Sequence, residues 1–329
     1  MRRSTMLPLF ILGLAAACTN GRELTSPEDG LGSSGPLSAD LLAASNSWTW
    51  KRFMAAARHD AVAATIGNTI YVFGGNNPSN TATTTVQAYN VSTNTWALRK
   101  PLPAPRAWLN GASVINGKIY VTGGYGHNTL FVYSPQTNTW TRKANMPEAT
   151  AYGAQGVING ILYVYAHAIR TNRFWRYNPA TDKWTSASRP VYGHAGGAAG
   201  VIGGRFYLAG GEDLALGQAE PYTGVLEMYN PATNTWTTKA SMPNARSFVA
   251  SAVLDQKLFV AGGNQGGHPG SPVKYFNVYD PATNSWATRA PLPLARSHAA
   301  GAAANGQFFV MGGRFEDGTT RAKVDAYTP

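Results

Sequence analysis

Apolar and polar residues alternate in short runs along most of the chain, and glycine, asparagine or proline separates one run from the next. In one such segment, "NGASVI" leads into an Asn-Gly pair and "KIYVTGG" follows it. Alternation of this kind is typical of half-buried strands, and Asn-Gly pairs favour tight two-residue turns because both positions tolerate a positive φ. The pattern therefore predicts many short strands joined as antiparallel hairpins.

The hairpins belong to a longer repeat that a tryptophan marks. The segment "YNPATNTW" has near copies along the chain, and their tryptophans recur at intervals of about 44 to 52 residues. These tryptophans are Trp96, Trp140, Trp184, Trp236 and Trp286. An apolar strand with a glycine pair also recurs, ending at Gly75, Gly124, Gly211, Gly263 and Gly313. The third unit has Ala166 and His167 instead of that pair. Each unit predicts four strands, of which the third ends at the tyrosine and the fourth carries the tryptophan.

The glycine pair, the tyrosine after it and the tryptophan seven residues further on resemble the kelch repeat. The resemblance covers residues 46–329 and implies a β-propeller in which every unit forms one four-stranded blade. The predicted fold is therefore all-β, a six-bladed kelch propeller. Tyrosine and tryptophan of the repeat are expected to be packing residues, with a turn between them.

The last copy of the repeat lacks its tryptophan, since "YTP" at residues 327–329 has nothing after it. At the other end, "SNSW" at residues 45–48 matches "TNSW" of the fifth unit, yet no third strand precedes it. A blade without its outer strand would expose an unpaired edge. We therefore expect the segment around Trp48 to supply the outer strand of the last blade.

Residues 1–17 differ from the repeats and predict a signal peptide. Arg2 and Arg3 precede "MLPLFILGLAAA", which is apolar but too short to span a bilayer. The next residue, Cys18, is the only cysteine, and "AAAC" resembles the bacterial lipobox except for Ala15, where leucine is usual. Residues 18–45 thus predict a lipidated cysteine and a flexible tether rich in Gly, Ser and Pro. We expect an exported protein, periplasmic or at the cell surface, anchored to the outer membrane by its lipid; plain secretion is the alternative.

The chain is basic, with 27 Lys and Arg against 16 Asp and Glu and a net charge of +11. Nucleic-acid binders usually cluster such residues, and here they are scattered over the repeats, so no nucleic-acid partner is expected. An anionic small molecule, a glycan or a protein partner fits better, bound by a monomer without cofactor or metal, whose only membrane contact is the lipid anchor. One cysteine excludes an internal disulfide and a cysteine-rich zinc site. Because that cysteine, Cys18, belongs to the predicted signal, the Cys–Tyr cross-link of copper-radical oxidases that carry kelch repeats is excluded too.

The kelch resemblance implies that ligands bind at one end of the ring, in loops that enter the inner strands or leave the second strands. Candidate ligand-binding residues in these loops are Arg58, His59, Arg106, Trp108, Tyr152, His167, His194, Arg246, Phe248, Arg296, His298 and Arg314. Arginine forks suit carboxylate or phosphate, and aromatic faces suit sugar rings, which favours an acidic sugar. All six histidines fall in these loops: His59, His127, His167, His194, His268 and His298. The structural alternative is that the arginines bond loop carbonyls and the histidines are ordinary loop residues.

A weaker resemblance concerns catalysis. Periplasmic six-bladed kelch propellers include the sialic acid mutarotases, and similarity to them implies an acid/base group near the ring oxygen and an arginine on the carboxylate. Glu212 and Arg246 are the candidate catalytic residues, chosen from their loop positions, because no enzyme motif is present. The sequence leaves three functions open. A non-catalytic propeller that binds a ligand or partner is favoured over a mutarotase or epimerase acting on an acidic sugar such as N-acetylneuraminate, and over a protein-interaction scaffold.

Overall fold

The structure is a computed structural model, and it describes residues 45–168, 171–213, 222–266 and 270–329. The predicted signal peptide, Cys18 and almost all of the tether lie outside these residues, so those predictions stay predictions. The described residues from Ser45 to Pro329 pack as one unit. Every regular element of the described residues is a strand, and none of them belongs to a helix that could cross a membrane.

The strands form six four-stranded antiparallel sheets, counted over the described residues. One strand near the N-terminus, β1 (Ser47–Lys51), precedes the first blade. The first blade is β2 (Val62–Ile66), β3 (Thr69–Phe73), β4 (Val86–Asn90) and β5 (Thr95–Arg99), and the second is β6 (Leu109–Ile115), β7 (Lys118–Gly123), β8 (Leu130–Ser134) and β9 (Thr139–Lys143). The third is β10 (Ala151–Ile158), β11 (Ile161–Ala168), β12 (Thr171–Asn178) and β13 (Lys183–Ser186), and the fourth is β14 (Ala198–Ile202), β15 (Arg205–Ala209), β16 (Leu226–Asn230) and β17 (Thr235–Lys239).

The last two blades include short extra strands in their loops. The fifth contains β18 (Ala250–Leu254), β19 (Lys257–Ala261), a two-residue pair of β20 (Asn264–Gln265) and β21 (Ser271–Pro272), then β22 (Phe276–Asp280) and β23 (Ser285–Thr288). The sixth contains β24 (Arg296–Ser297), β25 (Ala300–Ala304), β26 (Gln307–Met311), β27 (Arg314–Phe315) and β28 (Val324–Thr328). β24 pairs with β27 at the edge of this blade.

Apolar side chains on the faces of the blades form a cluster between each pair of neighbours. Between the first and second blades, for example, Phe73 and Tyr133 are fully buried with Ile119. Equivalent clusters among the described residues join the other neighbours, including the sixth blade with the first. The alternation seen in the sequence therefore places one set of side chains of each sheet against the next sheet.

The repeated "YNPATNTW" segment forms hydrogen bonds to the preceding blade, and we call this set of contacts the clasp. The hydroxyl of Tyr229 donates to Oδ1 of Asn234 at 2.8 Å, and the N–H of Ser188, from the preceding blade, donates to the same oxygen at 2.9 Å. The indole Nε1 of Trp236 donates to the carbonyl of Ser188 at 2.6 Å. Asn234 has a φ of 54°, a left-handed conformation that asparagine tolerates better than most residues. The motif thus combines a turn, closed by the tyrosine within its own blade, with two hydrogen bonds to the preceding blade.

The same clasp closes the ring. β1 pairs antiparallel with β28, with Trp48 opposite Tyr327. Oδ1 of Asn46 accepts from the hydroxyl of Tyr327 at 2.9 Å and from the N–H of Ala290 at 3.1 Å, and Trp48 Nε1 donates to the carbonyl of Ala290 at 2.7 Å. The predicted six-bladed propeller, with its last blade closed by the segment around Trp48, is confirmed.

Loops that enter the inner strands and loops that leave the second strands lie at one end of the ring, which we call the mouth. His167 was expected in such a loop, but it lies within β11, where it pairs with Asn172 of β12. The third blade has no glycine pair at this point, so its second strand continues through Ala168 instead of turning away. The prediction that all histidines are loop residues is therefore wrong for His167, and His268 lies outside the described residues.

Candidate functional site

A ring of six residues, one from each blade, surrounds the mouth just before the inner strands. They are Asp60, Trp108, Tyr152, Gly196, Phe248 and His298, and all have φ between 53° and 65°. Backbone hydrogen bonds link neighbouring members of this ring. The N–H of Asp60 donates to the carbonyl of His298, and the N–H of His298 donates to the carbonyl of Phe248. A left-handed conformation is costly for large aromatic residues, and recurrent strain of this kind tends to occur where side chains must be aimed at a site.

Four of these side chains form a continuous aromatic belt, defined as Trp108, Tyr152, Phe248 and His298. The ring centroids of Trp108 and Tyr152 are 5.6 Å apart, and those of Tyr152 and Phe248 are 5.2 Å apart. Phe248 stacks on the imidazole of His298 at 4.1 Å with 12° between the planes. A Cβ on Gly196 would approach Cδ1 of Phe248 to 2.7 Å, so the glycine lets Phe248 reach Tyr152 across the fourth blade.

The aromatic belt surrounds a cavity of about 370 Å³ that continues between the inner strands. Its deeper wall consists mainly of alanine and glycine, for example Ala63, Gly153 and Ala302. Outside the belt, the exposed ring of Tyr125 lies 5.0 Å from Trp108 and extends the aromatic surface. A concave site of this size with a few polar groups is typical of small-molecule binding.

Asp60 is the acidic member of the ring. Its Oδ2 accepts from Nε1 of Trp108 at 2.7 Å and from Nδ2 of Asn76 at 3.3 Å, and its side chain is 5% exposed. Burial raises the pKa of Asp60 to about 7, against the opposing effect of these two hydrogen bonds and of the Arg314 charge. A carboxyl group with this pKa exchanges its proton near neutral pH.

Two histidines flank the Asp60 carboxyl group. Nε2 of His59 lies 3.4 Å from its Oδ2, and Nε2 of His298 lies 3.9 Å from its Oδ1. Burial lowers the pKa of His59 to about 4 and that of His298 to about 3, with the Arg314 charge acting in the same direction on both. Both imidazoles are therefore neutral at pH 7 and leave the Asp60 charge without a cationic contact.

A hydroxyl group orients each imidazole through its other ring nitrogen. Nδ1 of His59 is 3.0 Å from Oγ1 of Thr320, and Nδ1 of His298 is 2.8 Å from Oγ of Ser297. Across the described ranges, no three side chains of His, Cys, Asp or Glu are arranged to hold a metal ion.

Three of the predicted arginines point into the protein. Arg58, Arg246 and Arg296 are at most 2% exposed. Nη1 of Arg58 donates to the carbonyl of Gly74 at 2.9 Å, and Nε of Arg246 donates to that of Gly262 at 2.8 Å. Arg296 forms a buried ion pair with Asp325. These side chains tie each glycine pair to the adjacent inner strand, which is the structural alternative that the sequence left open.

His194 replaces an arginine at this position in the fourth blade and makes the same contact. Its Nδ1 lies 2.8 Å from the carbonyl oxygen of Gly210, and its Nε2 lies 3.0 Å from Oε2 of Glu227. The ring is completely buried. His167 is also buried, and burial lowers its pKa. The structure therefore places these two histidines in the body of their blades, outside the aromatic belt.

The other predicted residues have separate surroundings. Arg106 is 6% exposed, donates to the carbonyl of Pro105 at 2.7 Å and lies over the ring of Phe131. Arg314 is exposed at the mouth, where its charge acts on Asp60 and both flanking histidines.

The two candidate catalytic residues also make different contacts. Glu212 is buried and accepts from Oγ of Ser247 at 3.2 Å. The guanidinium of Arg246 donates to four carbonyls, those of Gly262, Pro243, Asn244 and Val260.

The sequence prediction included His59 and the four members of the aromatic belt, but it did not select Asp60. A usable signal was present, because Asp60 follows Arg58 by two residues, as Trp108 follows Arg106 and Phe248 follows Arg246. When the six repeats are aligned, the position two residues after the arginine position contains all six members of the ring. Burial raises the pKa of Asp60, and the residues packed around it, such as Trp108 and His298, are distant in sequence, so the shift itself was not predictable.

Comparisons with known proteins agree with the architecture. The KLHDC2/KLHL20/DRC7 Kelch-repeats domain matches residues 42–211, and the Kelch motif matches residues 194–243 and 245–293. An F-box/kelch-repeat protein of Arabidopsis thaliana is 34% identical over 85 residues, which is 26% of this chain and only 22% of that protein. A solved structure described as "Structure of YjhT" superposes with a TM-score of 0.70 at 19% identity, covering 83% of this chain and 95% of that one. At this identity, the likeness to YjhT concerns the fold alone.

Proposed function

The chain belongs to the kelch-repeat family, and from that premise we propose that it binds a small ligand at the aromatic belt. The observation that carries the proposal is the belt itself, four adjoining rings around a cavity of about 370 Å³, with one exchangeable carboxyl group among them. Aromatic faces of this kind pack against the apolar face of a sugar ring, while polar neighbours bond its hydroxyl groups.

The ligand that we favour is an acidic sugar. Arg314 supplies the charge for its carboxylate, because it is exposed at the mouth and its charge reaches Asp60. The burial of Arg58, Arg246 and Arg296 makes them unsuitable for this contact. The anionic preference therefore depends on Arg314, whose planar fork can bind a carboxylate through two hydrogen bonds.

Isothermal titration calorimetry with four sugars tests the proposal. N-acetylneuraminate and D-glucuronate are expected to bind, and N-acetylglucosamine and glucose to bind more weakly. Phe248→Ala is expected to weaken all binding at least tenfold, whereas Arg314→Ala weakens only the acids. Arg142→Ala, on the exposed face of β9, is the matched control for loss of a surface arginine. Absence of heat with all four sugars overturns the proposal, and binding of the neutral sugars alone overturns the anionic preference.

A second candidate function is mutarotation of such a sugar. The observation in its favour is Asp60, a buried carboxyl group whose pKa is raised to about 7 at the wall of the cavity. In this reaction Asp60 accepts the proton of the anomeric hydroxyl, the bond from the anomeric carbon to the ring oxygen breaks, and the ring oxygen takes up a proton from solvent water. Closure on the other face of the carbonyl reverses these steps. Asp60 and Arg314 take the roles expected of Glu212 and Arg246.

Anomer exchange of N-acetylneuraminate, followed by NMR, tests the catalytic version. The protein is expected to accelerate anomer exchange over the rate in buffer. The accelerated rate should follow an ionisation near pH 7. Asp60→Asn is expected to abolish the acceleration while ligand binding persists. An exchange rate equal to that of buffer removes the mutarotase and leaves the binding function intact.

Export and lipid anchoring through Cys18 belong to the same proposal. A lipid on Cys18 and the predicted tether would present the propeller at a membrane surface, where extracellular sugars are met. Labelling of bacterial cells that express the gene with a palmitate analogue tests this. The wild-type chain is expected to be labelled and to fractionate with membranes, and Cys18→Ser to lose both properties; an unlabelled wild-type chain counts against the anchor.

A further inference from the structure

We infer that the mouth binds the carboxylate of its ligand together with one proton, which is shared between that carboxylate and Oδ1 of Asp60. The inference rests on the proposed function, since it needs an acidic ligand at the aromatic belt. It adds a chemical rule for recognition: Asp60 selects a carboxylate by acting as a neutral hydrogen-bond donor. An acid in this role attracts the group that an ionised aspartate would repel.

The two oxygens of Asp60 have different surroundings. Oδ2 accepts from both Trp108 and Asn76, which fixes the plane of the carboxyl group. The residue also lines the cavity. Among the described contacts of Asp60, Oδ1 has only Nε2 of His298 at 3.9 Å, which is too long for a hydrogen bond. Oδ1 is therefore the oxygen that can carry a proton and present it to a ligand.

The charged and titratable groups that face Asp60 come from three other parts of the ring and from its own loop. His59 precedes it in the same loop, His298 comes from the sixth blade, and Tyr152 from the third. The fourth, Arg314, follows the second strand of the sixth blade and acts from the exposed rim. Of these groups, only Arg314 is cationic at neutral pH, and none of the described ion pairs joins it to Asp60.

A ligand ring on the aromatic belt, with its carboxylate drawn toward Arg314, brings a second carboxylate close to Oδ1. Two carboxylates within hydrogen-bonding distance do not both stay ionised, and one proton held between them converts repulsion into a strong hydrogen bond. Binding of the acid thus raises the proton affinity of Asp60 further. At a pH where Asp60 is partly ionised, the ligand arrives with uptake of a proton.

Calorimetry at pH 7.5 in phosphate and in Tris, whose ionisation enthalpies differ, measures that uptake. We expect about 0.5 to 0.8 proton per N-acetylneuraminate or D-glucuronate bound, and a Kd whose rise with pH approaches about tenfold per pH unit above pH 8. Asp60→Asn places an amide donor where the protonated oxygen stands, so the variant is expected to bind both acids without proton uptake and with a Kd independent of pH. Asp280→Asn, at a turn far from the mouth, is the matched control and keeps the wild-type uptake.

Each outcome bears on a different statement. Proton uptake that disappears in Asp60→Asn supports the inference. Binding of the acids with no uptake, with proton release, or with the same uptake in Asp60→Asn overturns the inference and leaves the proposed function standing. Absence of binding by both acids in every buffer overturns the proposed anionic ligand and the inference with it.

Discussion

At the scale of single residues, one position of the repeat supports the loops of the mouth. In the first, fifth and sixth blades it is an arginine that donates to the carbonyl of the first glycine of its own pair. In the fourth blade His194 makes that contact and pairs with Glu227. The acidic partner on the third strand differs as well: His194 pairs with Glu227, whereas Arg296 of the sixth blade pairs with Asp325. These buried side chains support the loops of the mouth without facing it.

We expect His194→Ala to destabilise the propeller by about 2 to 4 kcal/mol, because Glu227 and the carbonyl of Gly210 each lose a buried hydrogen-bond partner. His194→Arg is expected to recover at least half of that loss, since an arginine occupies this position beside an acid in the sixth blade. Unfolding in urea measures both. His127→Ala, at an exposed loop, serves as control and should change stability by less than about 0.5 kcal/mol. Equal stability of the Ala and Arg variants at position 194 contradicts the shared role.

Stability should depend on pH through the Asp60 cluster. The pKa values of His59 and His298 are lowered to about 4 and about 3, so the stability linked to them is present above pH 6.5 and is lost as the pH falls below it. The raised pKa of Asp60, about 7, acts in the opposite sense and removes stability as the pH rises from 4 to 7. The two histidines together change the free energy of unfolding with pH more than Asp60 does, so that free energy should rise between pH 4 and pH 6.5.

Asp60→Asn removes the opposing contribution. We expect the pH dependence between 4 and 6.5 to become steeper by about 1.4 kcal/mol per pH unit and the variant to exceed wild type in stability at pH 8. Urea titrations at half-unit pH steps provide the measurement. The same slope in both proteins would show that Asp60 is ionised throughout this range.

The sequence predicted which residues form the aromatic belt, but it did not predict which of the other selected side chains are buried. Trp108, Tyr152, Phe248 and His298 were chosen from their loop positions, and all four face the cavity. Arg58 and Arg246 occupy the same loops, and their forks turn inward to the carbonyl of a glycine 16 residues later. The repeat pattern shows the spacing of these residues, but it does not show whether the side chain turns toward that carbonyl or toward the cavity.

At the scale of elements, the clasp formed by Asn234 explains why the repeat keeps asparagine or aspartate before the last two residues of "YNPATNTW". Equivalent residues with φ between 50° and 55° are Asn46, Asn94, Asn138, Asp182 and Asn284. Each accepts from the tyrosine hydroxyl of its own blade and from a backbone N–H of the preceding one. One side-chain oxygen therefore joins a turn to the neighbouring blade.

Asn234→Ala is expected to cost about 2 to 4 kcal/mol, because two donors lose their acceptor and alanine is strained at a positive φ. Asn234→Asp should cost less than half as much, since Asp182 makes the same contacts in the third blade. Thermal unfolding followed by circular dichroism compares the two. Similar losses of stability in both variants would mean that the side-chain oxygen at position 234 does not contribute to stability.

Strand existence followed well from the sequence, because alternation and turn residues act locally. The two-residue pairs β20–β21 and β24–β27 were not predicted, since elements so short carry no periodic pattern. The extension of β11 to Ala168 was also missed as a strand, although its cause, the absent glycine pair, was visible.

At the scale of the whole molecule, β1 protects the outer edge of β28. Removal of residues 45–51 should leave that edge unpaired, and unpaired edges recruit strands from other molecules. We expect the truncated protein to form dimers or larger assemblies in light scattering after size exclusion. Removal of residues 19–44 is the control and should leave the size distribution unchanged. A monomeric, cooperatively folded product of the first truncation contradicts the role of β1 in closing the ring.

Closure by β1 also sets an order on folding. Trp48 and Asn46 meet Ala290 and Tyr327 across 242 to 281 residues of chain, so the earliest strand to be synthesised is among the last to pair. Contacts of such long sequence separation form late, because the intervening loop must first lose its entropy. Until β28 has been made, β1 stays an unpaired strand. The described blades therefore close into a ring only after the last of them has been synthesised.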